Sequence, residues 1–457
     1  MEPPRIAFLP IVRTTFDVPF AEALIRQARE SLLAAGFALW EPEQPVCDLI
    51  QAQAAARALA DQPVDLLLIF QATFADSSLI TALAEGWAAP IFLWAILEPW
   101  TGERLRLNSL CGINLAGHAL SLHGIRYAYG YGAPGDEPVL RQVRTLAAAG
   151  ALQRRLRATR LGVVGNHPAG LDSCHLDETA LRDAFGVRVR KIALEEIFTR
   201  AKDVTSQRVA STRAALEDRV DGLAALEAGP LSGTLRVYHA LRELAAQEGL
   251  DGLAVRCWPE FFTQLGCAAC GALSMLSDGF GMERPLPCSC EADINCTLTQ
   301  WILQQLSGCP AFGTDIVGID PAADRVAVWH CGLAPLSMAD PGRRPRGGLH
   351  SNRKLPLVMD FALKPGIVTL ARVSRTATGL RLVLGRGEML AEPQPFGGTA
   401  GVLRVEGGAQ PFFDRLMQHG LEHHLALVYG DYTQELIAFA RFIGTPVLGL
   451  DNDNHMI

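Results

Sequence analysis

The residues with the most chemical potential lie between positions 288 and 331, in CSCEADINCTLTQWILQQLSGCPAFGTDIVGIDPAADRVAVWHC. Glu291 and Asp293 open the stretch. A helical run is expected from about 294 to 306, then a short apolar strand ending in Thr314-Asp315, then a second strand over 325–329 that delivers His330. Two carboxylates and a histidine are thus expected at the ends of regular elements, beside turns, where a rigid scaffold can hold a site. Carboxylate oxygens with one imidazole form a hard donor set, suited to Mn²⁺ or Mg²⁺ rather than to a soft metal. Taken singly, Glu291 reads equally as a helix-dipole partner, Asp315 as a cap and His330 as an ordinary hydrogen-bonding group. Taken together, they place acids in apolar, cysteine-rich sequence, where burial is costly without a cation or another partner. Further on, His423-His424 precede the apolar run LALVYG. One of them could complete a mixed oxygen–nitrogen shell, and strand alternation lets at most one face a given site.

The chain has 11 cysteines, an odd number, eight of them from Cys257 to Cys331. Without a charged-then-apolar leader at the N-terminus, a disulfide framework is not expected. Cys267-x-x-Cys270 and Cys288-x-Cys290 approach zinc-ribbon spacing, but the second half is C-x-C, and Cys270 opens the apolar run ACGALSML. Small packed thiols fit this better than structural zinc or a redox pair. The turn GVVGNHPAG at 162–170 lacks the G-x-G-x-x-G pattern and reads as a plain strand-to-helix turn.

The elements that must position these residues follow from hydrophobic patterning. Continuous apolar runs at 6–12, 64–70 and 90–96 alternate with helical segments at 20–35, 77–85 (Asp76 as N-cap) and 138–157, as in a parallel sheet covered on both faces. A second alternation begins at Arg160, with strands at 187–194 and 253–258 and helices at 177–185, 206–218 and 233–248. From about 355 the texture changes to short alternating strands punctuated by Gly and Pro, which implies antiparallel sheet or barrel. A return to α/β is expected from 412, with a strand at 424–429, a helix at 433–443 and a last strand at 446–450. The loop 339–354, ADPGRRPRGGLHSNRK, is long and polar. The expected division is an N-terminal α/β domain at 1–157, a second at 158–308 and a β-rich C-terminal domain at 309–457. In the 457 residues, 49% hydrophobic and 19% charged composition supports large cores, and a net charge of −7 without a basic block argues against nucleic acid as a ligand. No apolar window of about 18 residues is present, so no membrane span is expected and the protein reads as cytoplasmic.

Four local matches, in order, carry a resemblance to the L-fucose isomerase and L-arabinose isomerase superfamily, specifically to its fucose-isomerase-like branch. They are the acid of CEADIN before an apolar helix; the Asp of TDI at a spacing of 315 − 291 = 24; WHCGLAP, where arabinose isomerases place a histidine ligand; and HHLALVYGDYTQELIAFARFIGTPV, which resembles the fucose-isomerase segment with a metal-binding histidine. Counted back from Tyr429-Gly430, that histidine is His424. The resemblance implies two doubly wound Rossmann-like domains followed by a β-rich, antiparallel barrel-like domain. It implies a metal-dependent aldose–ketose isomerase (an intramolecular oxidoreductase) acting on an open-chain sugar by enediolate proton transfer between C1 and C2. Glu291 and Asp315 would hold the metal and move the protons, His424 would complete the shell, and His330 is a candidate fourth ligand. The ion would be Mn²⁺, or another divalent cation such as Mg²⁺ or Co²⁺. Arg13 would reach the substrate of a neighbouring subunit in a homo-oligomer, a trimer or hexamer. The alternatives are a metal-dependent sugar lyase or aldolase, and a sugar-binding protein without turnover.

Overall fold

The computed structural model describes residues 3–450. The chain forms two compact units, one of residues up to Arg155 together with Gln434–Ile443, the other of Leu156–Thr433 together with the stretch from Gly444 on.

The first unit is built on a five-stranded parallel sheet in the order Ala38–Trp40, Arg5–Ile11, Leu66–Gln71, Ile91–Ala95, Ala128–Tyr131. Leu66–Gln71 and Ile91–Ala95 are buried along their whole length, as continuous apolar runs require. Alternate residues feed opposite faces: Ala7, Leu9, Leu67 and Ile69 enter one core, whereas Ile6, Phe8, Leu66 and Leu68 enter the other. Helices Val18–Ala34, Leu49–Leu59, Ser77–Ala84, Ser109–Leu122 and Glu137–Ala158 supply the covering layers. Asp76 stands at the N-cap of Ser77–Ala84 but makes no side-chain cap bond, and its carboxylate pairs with Arg13 instead (3.2 Å). Helix Glu137–Ala158 lies so close to the sheet that a Cβ on Gly150 would sit 1.8 Å from the Asp65 carbonyl oxygen.

The second unit has two parts with one continuous core. A four-stranded parallel sheet runs in the order Arg188–Ile192, Arg160–Val164, Gly252–Val255, Cys288–Ser289. Its last strand leads into helix Ile294–Ser307, and residues 294–304 of that helix are all buried. A helix buried on every side needs cover on every side. This one packs on Gly252–Val255 of the parallel sheet and on two strands of a second sheet, Gly366–Thr376 and His424–Tyr429. Its two mid-helix threonines are bonded: Thr297 Oγ1 donates to the Leu253 carbonyl (3.2 Å), and Thr299 Oγ1 donates to the Asn295 carbonyl (2.6 Å) while accepting from Val373 N (2.9 Å).

That second sheet closes on itself. Phe312–Asp320, Arg325–His330, Thr399–Val405, Gly379–Met389, Gly366–Thr376 and His424–Tyr429 pair antiparallel in a ring, the pairing Gly387↔Val405 completing a six-stranded barrel. Two short strands, Val358–Ala362 and Val447–Gly449, add to it in parallel. The expected α/β return after 412 is corrected here. His424–Tyr429 is a barrel strand between two antiparallel neighbours, because a six-residue apolar run fits a buried barrel strand as well as a parallel one. The strand holding Asp315 is also longer than expected. It continues to Asp320 past an irregularity between Ile316 and Gly318, so Asp315 is interior to a strand rather than at its end.

The close approach at Gly150 makes a direct prediction. Gly150→Ala should lower stability by about 1–3 kcal/mol, since the neighbour it meets is backbone. Gly229→Ala, in helix Ala228–Glu248 with nothing within 4 Å of the new methyl, should cost nothing. Equal urea midpoints for the two variants would refute the packing argument.

Candidate metal centre

The site forms where the loop after strand Cys288–Ser289 meets the barrel. Antiparallel register sets Asp315 directly opposite His424 on one side and Trp329 on the other. His424 Nε2 lies 3.3 Å from Asp315 Oδ1 and 3.8 Å from Glu291 Oε2. The imidazole is 3% exposed, against 21% for Asp315 and 18% for Glu291, so the donors face a shielded but reachable point.

Asp293 holds the histidine in place. Its Oδ1 accepts from Cys296 N (3.0 Å) as the N-cap of helix Ile294–Ser307. Its Oδ2 accepts from His424 Nδ1 (2.8 Å) and from the Arg372 guanidinium (2.6 Å). Burial pushes the Asp293 carboxyl up, but the Arg372 charge and the His424 hydrogen bond outweigh it and hold the group well below the usual range. An ionised carboxylate can only accept, so Nδ1 is the donor, and in the neutral tautomer that this selects the Nε2 lone pair points to Asp315 and Glu291. Asp315 Oδ1 is itself buried without a hydrogen-bond donor. Lone pairs converging from two carboxylates and an imidazole repel unless a cation lies among them, and a carboxylate-backed histidine is the common arrangement behind a metal ligand. The residues therefore fit a divalent ion with hard donors.

Glu291 is held from both sides. Trp258 Nε1 donates to Oε1 (3.2 Å), and His423 Nε2 faces Oε2 at 3.2 Å. Burial acts to raise its carboxyl, but the His423 hydrogen bond, the His424 charge and the Trp258 hydrogen bond overcome it and lower the pKa to about 2. Its backbone is unusual too: Glu291 and Ala292 sit at φ of 59° and 58°, a left-handed conformation that costs an L-residue about 1–2 kcal/mol.

His330 lies in the same group as Asp315 and His424, with ligand atoms within 4.8 Å of one another. Its Nδ1 accepts from the Cys331 backbone N–H (2.9 Å), so the neutral ring carries its proton on Nε2 and offers a donor rather than a lone pair. Arg13 lies in the first unit, at the end of strand Arg5–Ile11, with its side chain 42% exposed.

Three partners escaped the sequence reading. His423 was set aside on strand alternation, yet both histidines approach Glu291, because His423 precedes the strand in a bend and its ring lies 4.0 Å from that of His424. Arg372 left one trace, a cation inside the apolar middle of the strand GIVTLARVSRT, where burial demands an acid. Trp258 left none. Among the cysteines, Cys267, Cys270 and Cys288 are buried free thiols within the core, and Cys296 is likewise free and buried. The expectation of no disulfide is corrected at one pair: Cys257 and Cys290 are bonded, with Cα atoms 5.7 Å apart. Neighbouring parallel strands bring them together, which no spacing in the chain could indicate.

Comparison with known proteins bears directly on this geometry. Residues 9–148 match the family described as fucose/sulfoquinovose isomerase, N-terminal domain, and residues 360–450 match L-fucose isomerase, C-terminal domain. The chain is 34% identical over 448 residues to a sulfoquinovose isomerase of Alkalicoccus urumqiensis, covering 98% of this chain and 99% of that protein. It is 34% identical to the sulfoquinovose isomerase of Priestia megaterium (97% and 98% covered) and 31% identical to that of Clostridium sp. (95% and 97% covered). With both terminal domains matched and relatives aligned over nearly their whole length, the chain belongs to the fucose isomerase-like family and is an aldose–ketose isomerase.

Proposed function

We propose that the protein interconverts sulfoquinovose, a hexose bearing a sulfonate at C6, and its ketose, with a Mn²⁺-like ion held by Glu291, Asp315 and His424. The convergence of Asp315 Oδ1, Glu291 Oε2 and the His424 Nε2 lone pair carries the metal reading. The near-full-length relatives, each a sulfoquinovose isomerase, support the choice of sugar. The proton on C2 of an aldose is a very weak acid, and a divalent ion in this site would supply the positive charge that stabilises the enediolate. Glu291, with both oxygens hydrogen-bonded and its carboxyl lowered to about 2, is the poorer base of the pair. Asp315, whose Oδ1 has no donor, is the better placed to take the C2 proton and return it to C1. His330, as an Nε2–H donor, orients a sugar hydroxyl.

Isomerisation of sulfoquinovose in D₂O with Mn²⁺ should place deuterium on C1 of the ketose and, on reversal, on C2 of the aldose. Turnover of uncharged aldoses alone would overturn the sugar assignment, and products of C–C cleavage would replace isomerisation by a lyase reaction. Glu291→Gln and Asp315→Asn should each abolish metal retention and lower kcat by about 10²–10⁴-fold while leaving the fold intact. Undiminished metal content in both variants would sink the ligand assignment.

Asp293→Asn tests the support behind His424. It leaves buried Arg372 with only Glu422, 3.9 Å away, as a counter-charge, which should cost up to about 3–5 kcal/mol, and should weaken metal binding about 10–100-fold by freeing the imidazole. An unchanged metal affinity would remove Asp293 from the site.

Assembly is part of the same proposal. The first unit exposes Trp100 (97%), Leu105 (56%) and Leu110 (50%), apolar surface that a closed homo-oligomer would cover. Arg13 then serves the substrate of a neighbouring subunit. Arg13→Ala should raise KM without shifting the melting temperature, and light scattering showing a fully active monomer at assay concentration would refute the arrangement.

A further inference from the structure

We propose that the Cys257–Cys290 bond is a positioning element of the metal centre, which holds Glu291 in the conformation that binds the ion and weakens that binding when it is broken. The inference rests on the metal reading above and adds a dependence on thiol state. Both cysteines sit just past the ends of two paired parallel strands, Gly252–Val255 and Cys288–Ser289, in register Leu253↔Cys288 and Ala254↔Ser289. Each immediately precedes a residue of the site. Cys257 is followed by Trp258 and Cys290 by Glu291, and these two are joined by the Trp258 Nε1 to Glu291 Oε1 hydrogen bond (3.2 Å). Ala292 N adds a third tie, to the Val255 carbonyl (3.0 Å). Covalent bond, side-chain hydrogen bond and backbone hydrogen bond thus connect residues 290–292 to residues 255–258.

Such redundancy has a physical cause. Glu291 and Ala292 are consecutive non-glycine residues in the left-handed region, and strain of this kind persists only where the surroundings over-determine the backbone. The asparagines, aspartates and glycines that commonly fill such positions are absent, so the chain must be held. Both sulfurs are interior, each cysteine being 3% exposed, and they lie in the same core as the barrel. The bond is therefore no surface staple but a clamp directly behind a ligand carboxylate. Freed of it, residues 290–292 can relax from the left-handed region and turn the Glu291 carboxylate away from His424. A dithiol breaks the clamp by exchange: its two thiols give up two electrons and two protons and close as a disulfide, and Cys257 and Cys290 each gain one electron and one proton.

The test is Mn²⁺ titration, read by the electron paramagnetic resonance of the free ion. It compares the protein as purified without reductant, the same protein reduced with dithiothreitol and desalted anaerobically, and the Cys257→Ala/Cys290→Ala variant. The expected result is tenfold or greater weakening in the reduced and doubly substituted forms, with melting still cooperative. Ala292→Gly added to the double variant should recover part of the affinity, a rescue that follows from backbone positioning and not from general stability. If the double variant melts non-cooperatively, the reduced protein, unchanged in sequence, decides. Equal Mn²⁺ affinity in the clamped and reduced forms overturns the inference and leaves the metal site standing. So does alkylation that finds both cysteines free in protein purified without reductant. A protein that takes up no Mn²⁺ in any form overturns the metal reading, and this inference with it.

Discussion

One buried carboxylate joins three parts of the second unit. Asp293 caps the helix behind the site, accepts from Arg372 on one barrel strand and orients His424 on the next. Arg372 is fully buried and also donates to the Ser173 carbonyl (3.2 Å), so the cation binds the loop before helix Glu178–Phe185 to the barrel as well. The net stability of a buried pair is small, because desolvation offsets most of the attraction. Its contribution is geometric. Any other register of helix against barrel would strand a charge, so the pair selects the arrangement in which His424 Nε2 faces the carboxylates of Glu291 and Asp315.

The chemistry follows from how the two carboxylates are treated. Glu291 has donors on both oxygens and is kept ionised, which in the proposed reaction suits a fixed ligand and a weak base. Asp315 comes from a barrel strand, where register rather than strain fixes it, and one of its oxygens is left without a donor. The asymmetry between a strained, clamped acid and a relaxed, free one suits a reaction that needs both a fixed charge and a mobile proton. The surrounding core lowers the local dielectric and strengthens each of these interactions.

Much of this was legible in the chain. Apolar runs at 64–70 and 90–96 indicate strands buried on both faces, observed at Leu66–Gln71 and Ile91–Ala95, and alternation after 355 indicates antiparallel sheet, because burial decides which residues a strand tolerates. Glu291 and Asp315 were identifiable as acids expensive to bury in such company, and the family resemblance singled out His424. His423 was misjudged because a periodicity argument applies inside a strand and fails one residue before it.

By itself, then, the sequence determined the classes of structure and the donor types, since those depend on local periodicity and on the cost of burying each side chain. Tertiary structure alone decided what depends on distance. It closed the barrel by pairing Gly387 with Val405, set Asp315 opposite His424, and brought Cys257 to Cys290 across two strand ends. It also gave Asp293 its partner in Arg372, 79 residues away. No local pattern encodes these pairings. Each is fixed only when the whole core closes, because a buried ligand, cation or thiol finds its partner through the packing of elements far apart in the chain.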